Sequence, residues 1–243
     1  MEKFNLDLHI HSVLSPCADL LMTPLNIINT AKKRGLDVIA ITDHNSAKNL
    51  EVALKIAKKK NIIIIPGMEV ESAEEVHLLT YFPTLKKVLQ WQKIVYDHLP
   101  NKKNDEDFFG YQIITNEKDE YFKKEKRLLA TATDLSINEI LKQVKKLKGV
   151  VVPSHIFRTN GIIKNLGFIP GNLDLDLLEL SKLNKIDKAK NILKKFNNNN
   201  YSFIKNSDSH YLKEIKITMN VKLKNYDFNK LFENLTNDNF YYN

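Results

Sequence analysis

Phe4-Asn5-Leu6-Asp7-Leu8-His9-Ile10-His11 opens the chain with the rhythm of a β-strand. Phe4, Leu6, Leu8 and Ile10 recur at every second position and so share one face. The same alternation places His9 and His11 together on the other face at the strand's end, where both imidazoles can reach one ion. A helix is predicted next over Thr23–Arg34, with Thr23 as its cap, Pro24 at the first helical position and Gly35 closing it. Val38–Ile41 reads as a short buried strand. Ser46 is placed to cap a helix running to Lys60, with Leu50, Ala53, Leu54 and Ala57 as its apolar stripe. Ile62–Ile65 is a continuous β-branched run, as expected of a strand covered on both faces. Strand–helix alternation of this kind predicts parallel β/α architecture.

Further along, Val76–Phe82 reads as a strand and Leu85–Leu99 as an amphipathic helix carrying Trp91. The stretch 100–133 is highly charged. In it, Tyr111–Thr115 and Glu120–Lys124 flank a turn at residues 116–119, the pattern of an exposed hairpin. Alternation then resumes with a helix over Ser136–Leu147, strands at Val150–Val152, Leu175–Leu180 and Tyr201–Lys205, and a helix over Ile186–Phe196. Asn197–Asn200 reads as a loop. Ile215–Leu223 is a final strand candidate and Phe228–Leu235 a final helix. With no internal repeat and no Pro/Gly-rich linker, the expectation is one domain over residues 1–243, elaborated by an insertion at about 84–134.

Composition narrows the classes. Of 243 residues, 43% are hydrophobic, enough for a substantial core. No run approaches the ~20 apolar residues that span a bilayer. The N-terminus is acidic by Asp7 and lacks a signal-peptide layout, and the single cysteine, Cys17, excludes an internal disulfide framework. These features predict a cytoplasmic protein with no membrane partner. The net charge of +8 is spread over separate segments, Lys58–Lys60, Lys123–Arg127, Lys142–Lys148 and Lys185–Lys195, which is the pattern of solvated faces.

The seven histidines carry the chemistry. His44 follows Asp43 after the second strand, and Glu69 comes shortly after the third. His77 starts the fourth, His155 ends the Val150–Val152 strand, and Asp208 and His210 follow Tyr201–Lys205. In a parallel barrel the C-terminal strand ends share one face, where active sites form; only His98, inside a helix, stands apart. Asp43 and Asp7 read as groups that orient ligands without touching an ion. Imidazole and carboxylate donors suit Zn, Mn or Fe(II) and do not select among them.

At these residues the chain resembles the PHP (polymerase and histidinol phosphatase) family. The resemblance lies in Asp7-Leu8-His9-Ile10-His11, Ile41-Thr42-Asp43-His44-Asn45, Pro66-Gly67-Met68-Glu69-Val70-Glu71, Pro153-Ser154-His155 and Ser207-Asp208-Ser209-His210. It implies an α/β fold, a distorted (β/α)7 TIM-like barrel with an inserted helix and hairpin, and a centre of two or three divalent ions. It also implies that His9, His11, Glu69 and Asp208 hold one ion. Glu69 would bridge to a second ion on His77 and His155, and a third would use His44, His210 and Asp19. The branch resembled is that of small stand-alone phosphoesterases acting on nucleoside 3′,5′-bisphosphates or the 5′ ends of oligonucleotides.

The expected function is hydrolysis of phosphate esters, of nucleotides or small phosphorylated metabolites, by a metal-activated hydroxide. Arg158 is placed to clamp phosphate, with Lys182 a second choice, and His210 or His44 to protonate the leaving oxygen. One alternative is a 5′–3′ exonuclease on short RNA or DNA, with Tyr121, Phe122, Lys123, Lys124 and Arg127 as its track. Another is a non-catalytic metal-binding module.

Overall fold

A computed structural model describes residues 1–181, 184–195 and 200–243. The chain runs β1 (Glu2–Ile10), α1 (Pro24–Lys33), β2 (Val38–Ile41), α2 (Leu50–Lys60), β3 (Ile63–Glu71), β4 (His77–Tyr81) and α3 (Leu85–His98). It continues through α4 (Glu106–Phe109), β5 (Ile113–Thr115), β6 (Tyr121–Lys124), α5 (Ile137–Lys146), β7 (Val150–Pro153), α6 (Ile162–Leu166) and β8 (Leu177–Leu180). It ends with α7 (Ile186–Leu193), β9 (Ser202–Lys205), β10 (Met219–Leu223), α8 (Phe228–Thr236) and β11 (Phe240–Tyr242). The expected loop at Asn197–Asn200 and the end of the helix at Phe196 fall largely outside the described residues. No described helix is long and apolar enough to cross a membrane.

The local signals act as the sequence suggests at α1 and α5. Thr23 Oγ1 accepts from Asn26 N–H, and Ser136 and Glu139 form a reciprocal capping box at the start of α5. Ser46 does not cap α2. Its hydroxyl is engaged with Tyr96 Oη (3.0 Å), while Gln92 Oε1 accepts from Ala47 N–H at 2.7 Å. Ser46 and Ala47 are therefore spent on joining α3, and α2 starts only at Leu50, without a side-chain cap.

One curled sheet orders its strands β11-β10-β1-β2-β3-β4-β7, with β8-β9 as a separate parallel pair. β1, β2 and β3 are parallel, but β4 runs antiparallel to β3 and to β7. The strand–helix repeat is thus broken by a β3–β4 hairpin, which is where this TIM-like α/β sheet is distorted. Pro66-Gly67 is the pivot. β3 pairs with β2 as far as Pro66 and with β4 from Gly67 onward, so the strand runs on through Glu69. A Cβ at Gly67 would stand 2.9 Å from Thr42 Cγ2 and 3.2 Å from Tyr81 Cδ1, which requires glycine at this close approach.

β1 also changes partners. Its first half pairs with β10, while Ile10 bridges to Ser209, past the end of β9. Ile156 N–H in turn donates to Glu179 O on β8 (3.1 Å), joining β7's extension to the pair. Two cores follow from this curl. An inner cluster takes Leu6, Leu8, Val38, Ala40, Ile65, Leu79, Val152, Leu177 and Ile204, plus Phe228, Leu231 and Phe232 of α8. The outer faces pack against the helices through residues such as Ile39, Ile41, Ile27, Ile56 and Trp91.

Inside the inner cluster the buried Tyr81 hydroxyl donates to Leu8 O (2.7 Å), tying β4 to β1 just below His9. Tyr81→Phe keeps the ring but orphans that carbonyl, so urea unfolding should show a loss of about 1–3 kcal/mol. An unchanged midpoint would mean that this cross-barrel bond contributes nothing.

Candidate metal centre

The topology explains why residues scattered from 9 to 210 meet. His9 lies near the end of β1 and His11 directly follows it. Past β2, the chain stays beside β3, where Asn45 N–H donates to Glu69 O (2.8 Å), so His44 and Glu69 lie side by side. Because β4 runs in reverse, His77 at its start reaches the same rim as the ends of its neighbours. Ser154 N–H donates to His77 O (3.1 Å) and brings His155 alongside. His155 (φ 30°) and Asp208 (φ 50°) sit in left-handed backbone, a conformation that costs roughly 1–3 kcal/mol and clusters at functional sites.

Glu69 is the hub. Its fully enclosed carboxylate lies 3.4 Å from His9 Nε2, 3.3 Å from His11 Nε2, 3.3 Å from His44 Nδ1, 3.4 Å from His77 Nδ1 and 3.3 Å from His155 Nε2. Asp208 Oδ1 stands 3.4 Å from His9 Nε2 and 3.5 Å from His11 Nε2. These separations exceed the about 2.7–2.9 Å of a charge-assisted hydrogen bond. They match instead the ~3.0–3.5 Å edges between donors that each sit ~2.0–2.2 Å from a shared divalent ion.

Outer groups fix which nitrogens face inward. Glu179, buried on β8, takes His9 Nδ1–H at 3.0 and 3.1 Å and also accepts from Asn206 Nδ2 (2.7 Å) and His155 N–H (2.9 Å). Asp43 accepts from Ser12 N–H, Ser12 Oγ and Ser15 Oγ at 2.6, 2.6 and 2.7 Å. With its proton on Asp43, Ser15 Oγ accepts from His11 Nδ1–H (2.9 Å) and His44 N–H (3.1 Å). The hydrogen-bond network thus assigns His9 and His11 the tautomers whose Nε2 lone pairs face each other, 3.1 Å apart. Two lone pairs at that distance call for a cation between them. Among the described residues, buried His77 Nδ1 and His155 Nδ1 have no hydrogen-bond partner, and buried polar atoms left orphaned at one rim call for a ligand. The donor set therefore fits divalent metal.

Electrostatics agree. Burial alone would raise the Glu69 pKa, yet His9, His77 and His11 hold it well below the usual carboxylate range. Burial would likewise strip the charge from His9, but Glu179, Glu69 and Asp208 push its pKa well above its ordinary value, so they favour a positive charge at Nε2, whether a proton or a metal ion. His44 and His210 go the other way. Burial, then the positive charge that Asp208 and Glu69 favour at His11, keeps His44 far down and brings His210 to about 4. The rim thus attracts positive charge while keeping neutral imidazoles in reserve.

Three compact groupings arise among the described residues: His9, His11 and Asp208; His44, Glu69 and His77; and His11, Cys17, His44 and His210. Asp19 joins none of them. Its carboxylate accepts from Leu21 N–H (2.9 Å) within its own turn. Asp7 touches no imidazole hydrogen-bond partner either; its carboxylate holds Ser207 N–H (3.0 Å) and Lys216 N–H (3.4 Å). His98 is remote and paired with Asp134 (2.6 Å), and Lys182 lies outside the described residues. Glu179 escaped sequence reasoning, although an acid inside Leu177-Leu178-Glu179-Leu180 was a legible signal. A cleft of about 390 Å³ opens onto the rim, lined by Arg158, Glu179, Asn206, Asp208, His210 and Tyr211 among others. There Arg158 Nη1 donates to Asp208 Oδ2 at 2.6 Å.

An uncharacterised protein of Methanocaldococcus jannaschii is 34% identical over 76 residues, 28% of this chain and 44% of that protein. Phosphoribosyl 1,2-cyclic phosphate 1,2-diphosphodiesterase of Eggerthella lenta is 30% identical over 78 residues, 30% of this chain and 29% of the enzyme. Each match spans less than half of the relative's length. The lesion-specific endonuclease Endonuclease Q of Pyrococcus furiosus superposes with a TM-score of 0.72 at 21% identity, over 97% of this chain and 56% of that one. Endonuclease Q in complex with a 27-mer duplex bearing an abasic lesion at the active site gives 0.67 at 20% identity, over 97% and 57%. At such identities the likeness is one of fold. The PHP domain matches residues 7–216, and the chain belongs to that family.

Proposed function

We propose that the protein is a metal-dependent phosphoesterase acting on phosphate esters of nucleotides or small phosphorylated metabolites. The observation that carries this reading is the Glu69 carboxylate, surrounded by five imidazoles at 3.3–3.4 Å. In this reading His9, His11, Asp208 and Glu69 hold one ion, and Glu69 with His77 and His155 a second. Divalent ions bound there offset phosphate charge and bring the pKa of water toward ~7.

The remaining residues have their own tasks. Glu179 and the Asp43–Ser15 pair orient His9 and His11. Arg158 uses one of its donors on Asp208 and offers the rest of its fork to a phosphate oxygen in the cleft. His44 and His210 are either ligands of a third ion or donors of the proton that the leaving oxygen needs.

A nuclease reading has its own support in the fold shared with Endonuclease Q and in the exposed Phe108, Tyr121 and Phe122, with Lys123 Nζ 5.7 Å from the Phe122 ring. Arg127 does not extend that track, because its guanidinium donates to Tyr96 O. Turnover of a nucleoside 3′,5′-bisphosphate set against a 5′-phosphorylated oligonucleotide separates the two. The first reading expects the mononucleotide to be the better substrate, and a preference for the oligonucleotide would overturn it.

His11→Ala and Asp208→Ala should each abolish hydrolysis of a generic phosphate ester while leaving the circular dichroism spectrum unchanged. Near-normal turnover by either variant would refute the ligand set. Glu179→Gln keeps the shape but weakens the hold on His9, so metal affinity should fall about 10–100-fold by calorimetry. Metal removal should also lower the melting temperature. Restoring the ion at 100 times its Kd should return about 2.7 kcal/mol per site.

A further inference from the structure

Cys17 is the single cysteine in the chain, and it is an exposed loop residue that lines the cleft at the rim. One donor atom from each of His11, Cys17, His44 and His210 falls within 4.8 Å of the other three. We propose that Cys17 is a metal ligand, a thiolate that holds a third cation together with His44 and His210. This rests on the metal-centre reading above and specifies the donor set of one of its ions.

The loop geometry delivers the thiol and withholds the carboxylate. Ser15 N–H donates to Ser12 O (2.9 Å) and Ala18 N–H to Ser15 O (3.0 Å), winding residues 12–18 into successive turns. Asp19 N–H then donates to His210 O (2.9 Å), which ties this loop to the His210 loop through its backbone while the Asp19 side chain turns to Leu21 N–H. From outside, Gly110 clamps the loop. At φ 100° it packs so closely that a Cβ would stand 2.3 Å from Pro16 O. Cys17 is therefore held between two anchored neighbours.

The imidazoles around it have lone pairs to spare. His210 Nδ1–H donates to Asp208 O (3.0 Å), leaving Nε2 free for an ion. His11 and His44 are each shared between two groupings, and a neutral imidazole has one lone pair; that of His11 faces His9 and Asp208, whereas the second ion is assigned to His77 and His155, which leaves His44 for the third. Removing His11 leaves Cys17, His44 and His210. Three protein donors is the number at catalytic zinc sites, one fewer than at closed structural sites. A thiolate among them favours Zn(II) or Fe(II) over Mn(II) or Mg(II) at this position. It also commits His44 and His210 to the ion, so neither supplies the proton to the leaving oxygen.

The test uses the metal-free full chain titrated with Co(II). Wild type should develop a thiolate-to-cobalt charge-transfer band in the near ultraviolet. Cys17→Ser should lose that band and bind one cobalt fewer, whereas Asp19→Asn should retain both. Because no other thiol is present, iodoacetamide reports on Cys17 alone, and metal loading should slow its alkylation at least about tenfold. Cobalt bound by wild type without the band, or alkylation unaffected by loading, overturns the thiolate assignment and leaves the rest of the centre standing. A folded protein that takes up no cobalt at all overturns the metal centre, and the thiolate with it.

Discussion

A carboxylate sealed from water and faced by five imidazoles is the constraint around which this molecule is arranged. Glu69 cannot keep its charge in that position unless positive charge surrounds it, because burial alone would protonate it. Its neighbours come from β1, the segment after β2, the start of β4 and the segment after β7. Each reaches Glu69 only if the sheet curls. The curl in turn depends on β3 exchanging β2 for β4 at Pro66-Gly67, which points Glu69 at the rim and lets the reversed β4 present His77 there. Fold and site are thus a single geometrical solution, and the side chain of Tyr81 joins them where it crosses beneath His9.

Outer hydrogen bonds turn this crowd of side chains into a defined set of donors. Glu179 and the Asp43–Ser15 pair hold protons on the outward nitrogens of His9 and His11, so that lone pairs point inward. Such bonds cost the fold little, since every participating polar group is also satisfied. The positive φ at His155 and Asp208 is a different matter, because strain there persists only where the surrounding structure holds the backbone in place.

Much of this is legible from residue types alone. The strand ending in His9 and His11, the Thr23-Pro24 helix start and the Ser136 cap depend on neighbours in sequence, and local periodicity reads such features well. What depends on distant partners is not legible. Ser46 has the makings of a cap, because nothing in residues 46–60 reveals Gln92 and Tyr96 competing for that turn. β3 is longer than its sequence suggests because Pro66-Gly67 reads as a stop, whereas β4 continues the pairing beyond it. Asp19 is the nearest acid after His11, yet the turns between Ser12 and Ala18 bring Cys17 to the rim instead. The role of Glu179 exists only once β8 lies beside His9.

Anomalous diffraction from crystals of the metal-loaded protein, recorded at the absorption edge of the bound element, locates the cations without reference to activity. A Glu69-centred cluster predicts at least two peaks, each about 2.0–2.2 Å from a Glu69 carboxylate oxygen, one shared with His9, His11 and Asp208 and the other with His77 and His155. A fully loaded crystal with no peak within bonding distance of Glu69 would contradict it.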